Sequence, residues 1–220
     1  MVDTWNLLQR AYGDVSSLLG DLSCAEAGRP TGCAGWAVLD LAQHLVADVR
    51  RGLVALSTPA DEPVTTDAVG YWRAWEQSEA EADDDRWRTR VVASTAGGIA
   101  ELADVYAETA AAVLVQASRS APDARVRTQG HVITVADLLS TLVTETVVHH
   151  LDLVVELDRP QPSPEGLASV RAVLQVLLAG EVPGHWDDRT AVLGLTGRRE
   201  LTAQDRAALG DATARLPLLA

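Results

Sequence analysis

Apolar side chains recur every three or four positions in several long segments of the chain. This spacing is typical of α-helices that bury one face, and it predicts five helices. They span residues 3–22, 37–57, 94–118, 135–157 and 164–180. The connection between the second and third helices is long. Four long amphipathic helices in this order predict a four-helix bundle, to which the fifth adds an additional helix.

The segments between the long helices are shorter and less regular. Tyr71, Trp72 and Trp75 are interpreted as the start of a short amphipathic helix. The acidic run at 79–85 is interpreted as a solvated face or a helix start. Residues 120–134, which contain Pro122 and Gly130, are expected to form a connector.

The last forty or so residues differ in pattern from the rest of the chain. TAVLGL at 190–195 predicts a short strand, and residues 202–209 predict a short helix. The predicted fold class is therefore all-α: a four-helix bundle with an additional helix and a short C-terminal strand/helix appendage. We expect residues 1–180 to form the bundle and residues 181–220 to form an extension that packs on it.

Composition narrows the possible partners. The 220 residues carry a formal net charge of −13 and no lysine, which disfavours binding to nucleic acid or to an anionic membrane surface. No apolar stretch reaches 18 residues, and the N-terminus lacks the pattern of a signal peptide, so a cytoplasmic protein is expected. A monomer or a homodimer is expected, since a helix bundle with an exposed apolar face could dimerise.

The segment 135–158 contains the most unusual chemistry. On a helix, Glu145, His149 and Asp152 share one stripe, which continues as leucine toward the N-terminus. Charge that faces a core or cleft needs compensation. A divalent metal such as zinc is one candidate, because imidazole and carboxylate are both zinc ligands. The alternative is a Glu145–His149 pair that is solvated or internally hydrogen-bonded.

A third ligand could come from the second helix, where His44 lies beside the apolar stripe. Bundle cores build metal sites from side chains on facing helices. His44, Glu145 and His149 would supply two imidazoles and one carboxylate, and would leave a position for water or substrate. Asp152 is a candidate for orienting a ligand histidine. Asp48 has a weaker claim to the same role.

Other polar residues are interpreted as structural. Arg50 and Arg51 are expected on a solvated face, and His150 on a neighbouring face of its helix. Arg198 and Arg199 could bind a carboxylate but are expected to form an ordinary surface turn. The two cysteines, Cys24 and Cys33, are expected to be reduced thiols without a metal role.

Two motifs, GCAGWAVLDLAQHL at 32–45 and TETVVHHLDL at 144–153, resemble the mycothiol-dependent maleylpyruvate isomerase N-terminal domain family, within the DinB-like superfamily. The resemblance implies a bundle in which His44, Glu145 and His149 bind zinc. It also implies mycothiol, the low-molecular-weight thiol of actinobacteria, as cosubstrate. Ala37 stands where the family usually has a Ser or Thr helix cap. The isomerase proper has a larger C-terminal domain than this chain.

These observations lead to one main hypothesis and two alternatives. The main hypothesis is a zinc-dependent enzyme that activates a thiol, which then isomerises or conjugates a small electrophile; another divalent metal would serve equally. The first alternative is a metal-binding or small-molecule-binding bundle, without thiol catalysis, in stress response or resistance. The second is a metal-dependent step of specialised metabolism that uses no free thiol.

Overall fold

The fold is mostly helical. The computed structural model describes residues 4–74 and 79–219. The helices are α1 (Thr4–Gly20), α2 (Val38–Leu56), α3 (Ala68–Arg73), α4 (Glu79–Ala93), α5 (Ile99–Ser118), α6 (Val135–Leu153), α7 (Pro164–Leu178), α8 (Asp188–Leu195) and α9 (Ala203–Leu209). The strands are β1 (Arg125–Thr128) and β2 (His131–Thr134), and 3-10 turns occupy Glu26–Gly28 and Gly210–Arg215.

Helices α1, α2, α5 and α6 form a four-helix bundle, which confirms the predicted fold class. Helix α2 packs against α5, and α6 packs against α1. Helices α2 and α6 also pack against each other, so their facing sides meet inside the bundle. The core between the four helices contains fully buried leucines and two buried tyrosines, Tyr12 and Tyr106, whose rings meet edge to face. This packing fixes α2 and α6 relative to each other.

Local signals set the start of the two helices that face each other. Thr134 caps α6, since its hydroxyl accepts the backbone N–H of Asp137, as the sequence predicts. Ala37 has no side chain that could cap α2, but the Asp40 carboxylate accepts the Ala37 N–H at 2.9 Å. Helix α6 ends at Leu153, four residues before the predicted end at Leu157.

The predicted connector after α5 contains a β-hairpin. Strands β1 and β2 pair antiparallel, and Thr128 lies opposite His131 across a two-residue turn. The turn residues Gln129 and Gly130 have φ values of 44° and 82°, as a tight hairpin turn requires. The hairpin packs its first strand against α2.

The C-terminal segment is helical where the sequence predicted a strand. Residues 190–195 belong to α8, whose start is capped by Asp187 through the Thr190 N–H at 2.7 Å. The prediction was wrong because a short apolar run does not distinguish strand from helix by periodicity. Helix α8 packs on α7, and its buried residues join the same hydrophobic core as the bundle. A division of the chain at residue 180 stays a prediction.

The shorter predicted helices are also present. Tyr71 and Trp72 lie in α3, whereas Trp75 lies outside the described residues. The acidic run 79–85 starts α4, and residues 94–98 form the turn that precedes α5. No helix in the described ranges is long and apolar enough to cross a membrane.

Candidate metal centre

The structure brings His44 of α2 together with Glu145 and His149 of α6. The Nε2 atom of His44 lies 3.5 Å from Glu145 Oε1, and the Nε2 atom of His149 lies 4.0 Å from the same oxygen. One ligand atom from each of the three side chains lies within 4.8 Å of the others. The grouping expected from the sequence is therefore present in space.

The donor set fits a divalent metal. In tetrahedral zinc sites with bonds of about 2.0–2.2 Å, neighbouring ligand atoms lie roughly 3.3–3.5 Å apart. The His44–Glu145 separation already has this value, and the His149–Glu145 separation would need to shrink by about half an ångström. His44 Nε2 is buried and has no hydrogen-bond partner among the described residues. A buried nitrogen without a partner is what a missing cation would leave behind.

Electrostatics around the three side chains favour a bound cation. Burial raises the pKa of Glu145, but the adjacent His44 and His149 lower it further, to about 2. Burial lowers the pKa of His44, but the Glu145 carboxylate raises it by more. The carboxylate is therefore ionised at neutral pH and attracts positive charge, which is supplied either by a proton on His44 or by a metal.

Asp152 orients His149 from behind. His149 Nδ1 donates to Asp152 Oδ2 at 3.0 Å, so Nε2 is left to face Glu145. This is the carboxylate–histidine arrangement that fixes tautomer and ring orientation in many metal sites. Burial would raise the pKa of Asp152, but hydrogen bonds from His149 and Arg198 hold it well below its usual range.

Arg198 of the C-terminal segment is bound to the same carboxylate. Its Nε donates to Asp152 Oδ1 at 2.7 Å and its Nη2 to Oδ2 at 2.8 Å. The expectation that Arg198 lies in an ordinary surface turn was wrong, because only the fold shows that the turn after α8 reaches the end of α6. Arg199 instead pairs with Asp205, within the C-terminal segment, at 3.0 Å.

The loop before α2 closes over Asp152. The Gly32 N–H donates to the backbone oxygen of Asp152 at 3.0 Å, and the Cys33 thiol donates to Asp152 Oδ2 at 3.3 Å. Cys33 Sγ also lies 3.7 Å from His149 Nδ1. The sequence analysis assigned Cys33 no place in the site. Its position in the first motif, three residues before Trp36, was the one sequence feature that could have indicated a place there. Burial and the Asp152 charge raise the pKa of the Cys33 thiol, so it stays protonated.

On the other side of the site, Asp48 pairs with Arg51 rather than with His44. Arg51 Nη2 donates to Asp48 Oδ1 at 2.6 Å, and Nη1 donates to Tyr71 Oη at 3.1 Å and Gln129 Oε1 at 3.3 Å. The predicted solvated face holds for Arg50 but not for Arg51, whose side chain is 16% exposed. This network joins α2 to α3 and to the hairpin turn.

A cavity of about 800 Å³ opens onto the three candidate ligands. Its volume lies in the range of small-molecule sites. Trp36, whose ring centroid lies 5.1 Å from that of His44, and Trp72 provide aromatic walls. Arg51 and Arg198 line the cavity at different places. The cavity could therefore hold a small organic molecule in contact with a metal.

The comparisons with known proteins agree with this arrangement. Residues 8–154 match the family model described as "Mycothiol maleylpyruvate isomerase N-terminal domain". The chain belongs to this family. The matched range contains both motifs and all three candidate metal ligands, whereas α7, α8, α9 and Arg198 lie outside it.

A solved structure supports the fold of this family member. It is a crystal structure of a mutant of the mycothiol-dependent maleylpyruvate isomerase, with 17% sequence identity and a TM-score of 0.53. The alignment covers 82% of this chain and 70% of that one, and at this identity it shows the fold alone. A search of curated proteins found no match.

His150, the neighbour of His149, has a structural position, as the sequence suggested. It is buried, and its Nε2 donates to the backbone oxygen of Pro160 at 3.0 Å. Burial lowers its pKa. The two adjacent histidines of this family member therefore point to different surroundings, one to the cavity and one to the chain that follows α6.

Proposed function

We propose that this chain is a metal-dependent enzyme that activates a low-molecular-weight thiol, with zinc as the metal and mycothiol as the thiol. The observation that carries the proposal is the meeting of His44, Glu145 and His149 at the floor of a cavity large enough for organic substrates. Membership of the mycothiol maleylpyruvate isomerase N-terminal domain family supports the choice of thiol.

His44, Glu145 and His149 would hold the metal. A bound zinc ion lowers the pKa of a coordinating thiol, so that the thiol is present as thiolate at neutral pH. Among the described residues, Cys33 is the thiol nearest this point, and burial and the Asp152 charge raise its pKa, which keeps it protonated. The reactive sulfur would therefore come from the cosubstrate.

The surrounding residues would position the reactants. Asp152 fixes the His149 ring, and Arg198 fixes Asp152 in turn. Trp36 covers His44 and forms a wall against which the organic part of a ligand can pack. The reaction is isomerisation of a small electrophile if the thiol leaves at the end, and S-transfer if the thiol stays on the product.

The first experiment is metal analysis by mass spectrometry on untagged protein that has met no chelator. We expect about one zinc per chain, since one three-ligand site is proposed. The His149→Ala variant should lose the metal. The neighbouring His150→Ala variant is the matched control: it should keep the metal and lose thermal stability, because His150 is buried and bonded to Pro160.

The second experiment tests thiol dependence with maleylpyruvate as the isomerisation probe and 1-chloro-2,4-dinitrobenzene as the S-transfer probe. Turnover that requires both mycothiol and the metal is expected. A protein that keeps its metal but turns over neither probe with mycothiol would contradict the thiol mechanism and favour a metal-binding bundle. Folded wild-type protein that takes up no metal, even when zinc is offered, would contradict the whole proposal.

A further inference from the structure

A second cavity, of about 510 Å³, lies between α2 and the β-hairpin. Its described lining includes Arg50, Arg51, Arg127 and His131 but no aspartate or glutamate. This is unusual in a chain with 31 acidic and only 18 basic residues, whose surface is acidic on average. We call this cavity the basic groove. Its lining indicates an affinity for negative charge.

The three arginines of the basic groove differ in their partners. Arg51 is bound to Asp48, and Arg127 forms an ion pair with Glu62. Arg50 is exposed and makes no ion pair or hydrogen bond within the described ranges of the chain. Its guanidinium therefore carries a positive charge at the groove that no described side chain neutralises by an ion pair.

Thr128, one of the residues that line the basic groove, has a hydroxyl without a described partner. Thr128 is 6% exposed, and its hydroxyl has no hydrogen-bond partner in the part of the chain that the structure describes. Buried hydroxyls are normally satisfied, so an unpaired one at the edge of a cavity indicates a missing acceptor or donor. His131 lies opposite Thr128 on the other strand and also lines the groove.

We propose that the basic groove is a binding site for a small anion, such as the carboxylate or phosphate group of a small molecule. Arg50 supplies the charge, and Arg127 and His131 supply further hydrogen-bond donors. Guanidinium groups and oxyanions form strong charge-assisted hydrogen bonds. Arg51 and Gln129, which are hydrogen-bonded to each other, line both this groove and the cavity at the candidate metal ligands (the metal cavity), so the two cavities share part of their wall.

The test is a titration of the isotope-labelled, full-length protein, followed by amide NMR at constant ionic strength. Inorganic phosphate and succinate are the two probes, and chloride is the reference anion. The amide signals of Thr128 and Gly130 report on the basic groove, whereas those of Gly32 and Cys33 report on the metal cavity. We expect saturable shifts at Thr128 and Gly130 with at least one probe.

Two variants make the result specific. Arg50→Gln should weaken the binding of the probe roughly fivefold to tenfold, because one charge-assisted contact is lost. Arg10→Gln removes an equally exposed charge from α1, which takes no part in the groove, and should leave the affinity unchanged. Both residues are exposed, so both variants should fold.

The outcomes distinguish a phosphorylated ligand, a carboxylate ligand and the absence of specific anion binding. Saturation by phosphate alone indicates a phosphorylated ligand, and saturation by succinate alone indicates a carboxylate; either supports the proposal. Unsaturated shifts at Thr128 and Gly130, or shifts confined to Gly32 and Cys33, would overturn it. Equal affinity in wild type and Arg50→Gln would overturn it as well.

Discussion

His149 donates from Nδ1 to Asp152 across 3.0 Å, and this bond decides which of its ring nitrogens faces Glu145. The acceptor is one of the most buried carboxylates in the described chain, with a side chain that is 1% exposed. It also binds Arg198 with both oxygens. The orientation of a candidate metal ligand therefore depends on an ion pair with the C-terminal segment.

The Asp152→Asn variant should lose stability and metal affinity together. Removing one partner of a buried ion pair leaves the other charge uncompensated, which costs about 3–5 kcal/mol. We expect the free energy of unfolding in urea to fall by about that amount. Loss of the bond that orients His149 should weaken zinc binding about 10–100-fold in a chelator competition assay.

Two further variants separate these effects. Asp188→Asn removes a half-exposed ion pair with Arg171 and should change the stability by less than about 1 kcal/mol. In the double variant Asp152→Asn, Arg198→Met no buried charge is left unpaired, so much of the stability should return while zinc affinity stays low. Full recovery of zinc affinity in the double variant would show that Asp152 does not position His149.

Gly32→Ala should disturb the site through a single carbon atom. A Cβ at Gly32 would lie 2.3 Å from Asp152 Oδ1 and 3.1 Å from the Asp152 Cα, so the carboxylate must move. We expect zinc affinity to fall about tenfold or more, measured by the same competition assay. Gly28→Ala, where no atom lies within 4 Å of the new Cβ, is the control and should bind like wild type. Wild-type zinc affinity in Gly32→Ala would mean that the loop before α2 moves instead of the Asp152 carboxylate.

Cys33 should react slowly with iodoacetamide. The thiolate is the reactive form, and burial together with Asp152 raises the pKa of the Cys33 thiol. The exposed Cys24 in the same molecule provides the internal reference. At pH 8 we expect Cys24 to be alkylated at least about tenfold faster, as followed by peptide mass spectrometry. Equal rates in the folded protein would contradict the assignment of a protonated, enclosed thiol.

Asp205 should make the stability of the C-terminal segment depend on pH. The Thr202 N–H above all, with Trp186 and His185, holds the pKa of Asp205 well below its usual value. Because the Asp205 pKa is lower in the folded than in the unfolded protein, its carboxylate stabilises the fold at pH values above about 3.9, the unfolded pKa. This stabilisation is lost as the pH falls toward the folded pKa. Wild type should therefore be more stable than Asp205→Asn at pH 7, and the difference in melting temperature should shrink below about pH 4. A difference that does not change with pH would exclude ionic stabilisation.

Helix periodicity predicted the bundle because each long helix buries one continuous stripe. The residues 145, 149 and 152 could be placed on one face of α6 for the same reason, and His44 could be placed on the facing helix. The hairpin was missed although the alternating RVRT and the β-branched HVIT flank a two-residue Gln129-Gly130 turn, a pattern that is typical of a hairpin.

Contacts between side chains distant in sequence could not be predicted from periodicity. Arg198 lies 46 residues after Asp152, and nothing in the turn Thr196-Gly197-Arg198 indicates where it points. Arg51 lies beside Arg50 in the sequence, yet one is enclosed by Asp48 and Tyr71 and the other is exposed. For Arg198 the partner lies on α6; for Arg51, Asp48 lies three residues away on the same helix, but Tyr71 and Gln129 come from α3 and the hairpin turn.

The distance in sequence between His44 and the other two candidate ligands also affects when the site can form in the cell. During synthesis at about 5–20 residues per second, the roughly hundred residues between them take on the order of 5–20 s to appear. For that time the nascent chain contains only one of the three proposed ligands, His44, and the proposed three-ligand site cannot form. A metal would therefore be bound at this site only after α6 has been synthesised, and its uptake would show that α2 and α6 have packed against each other.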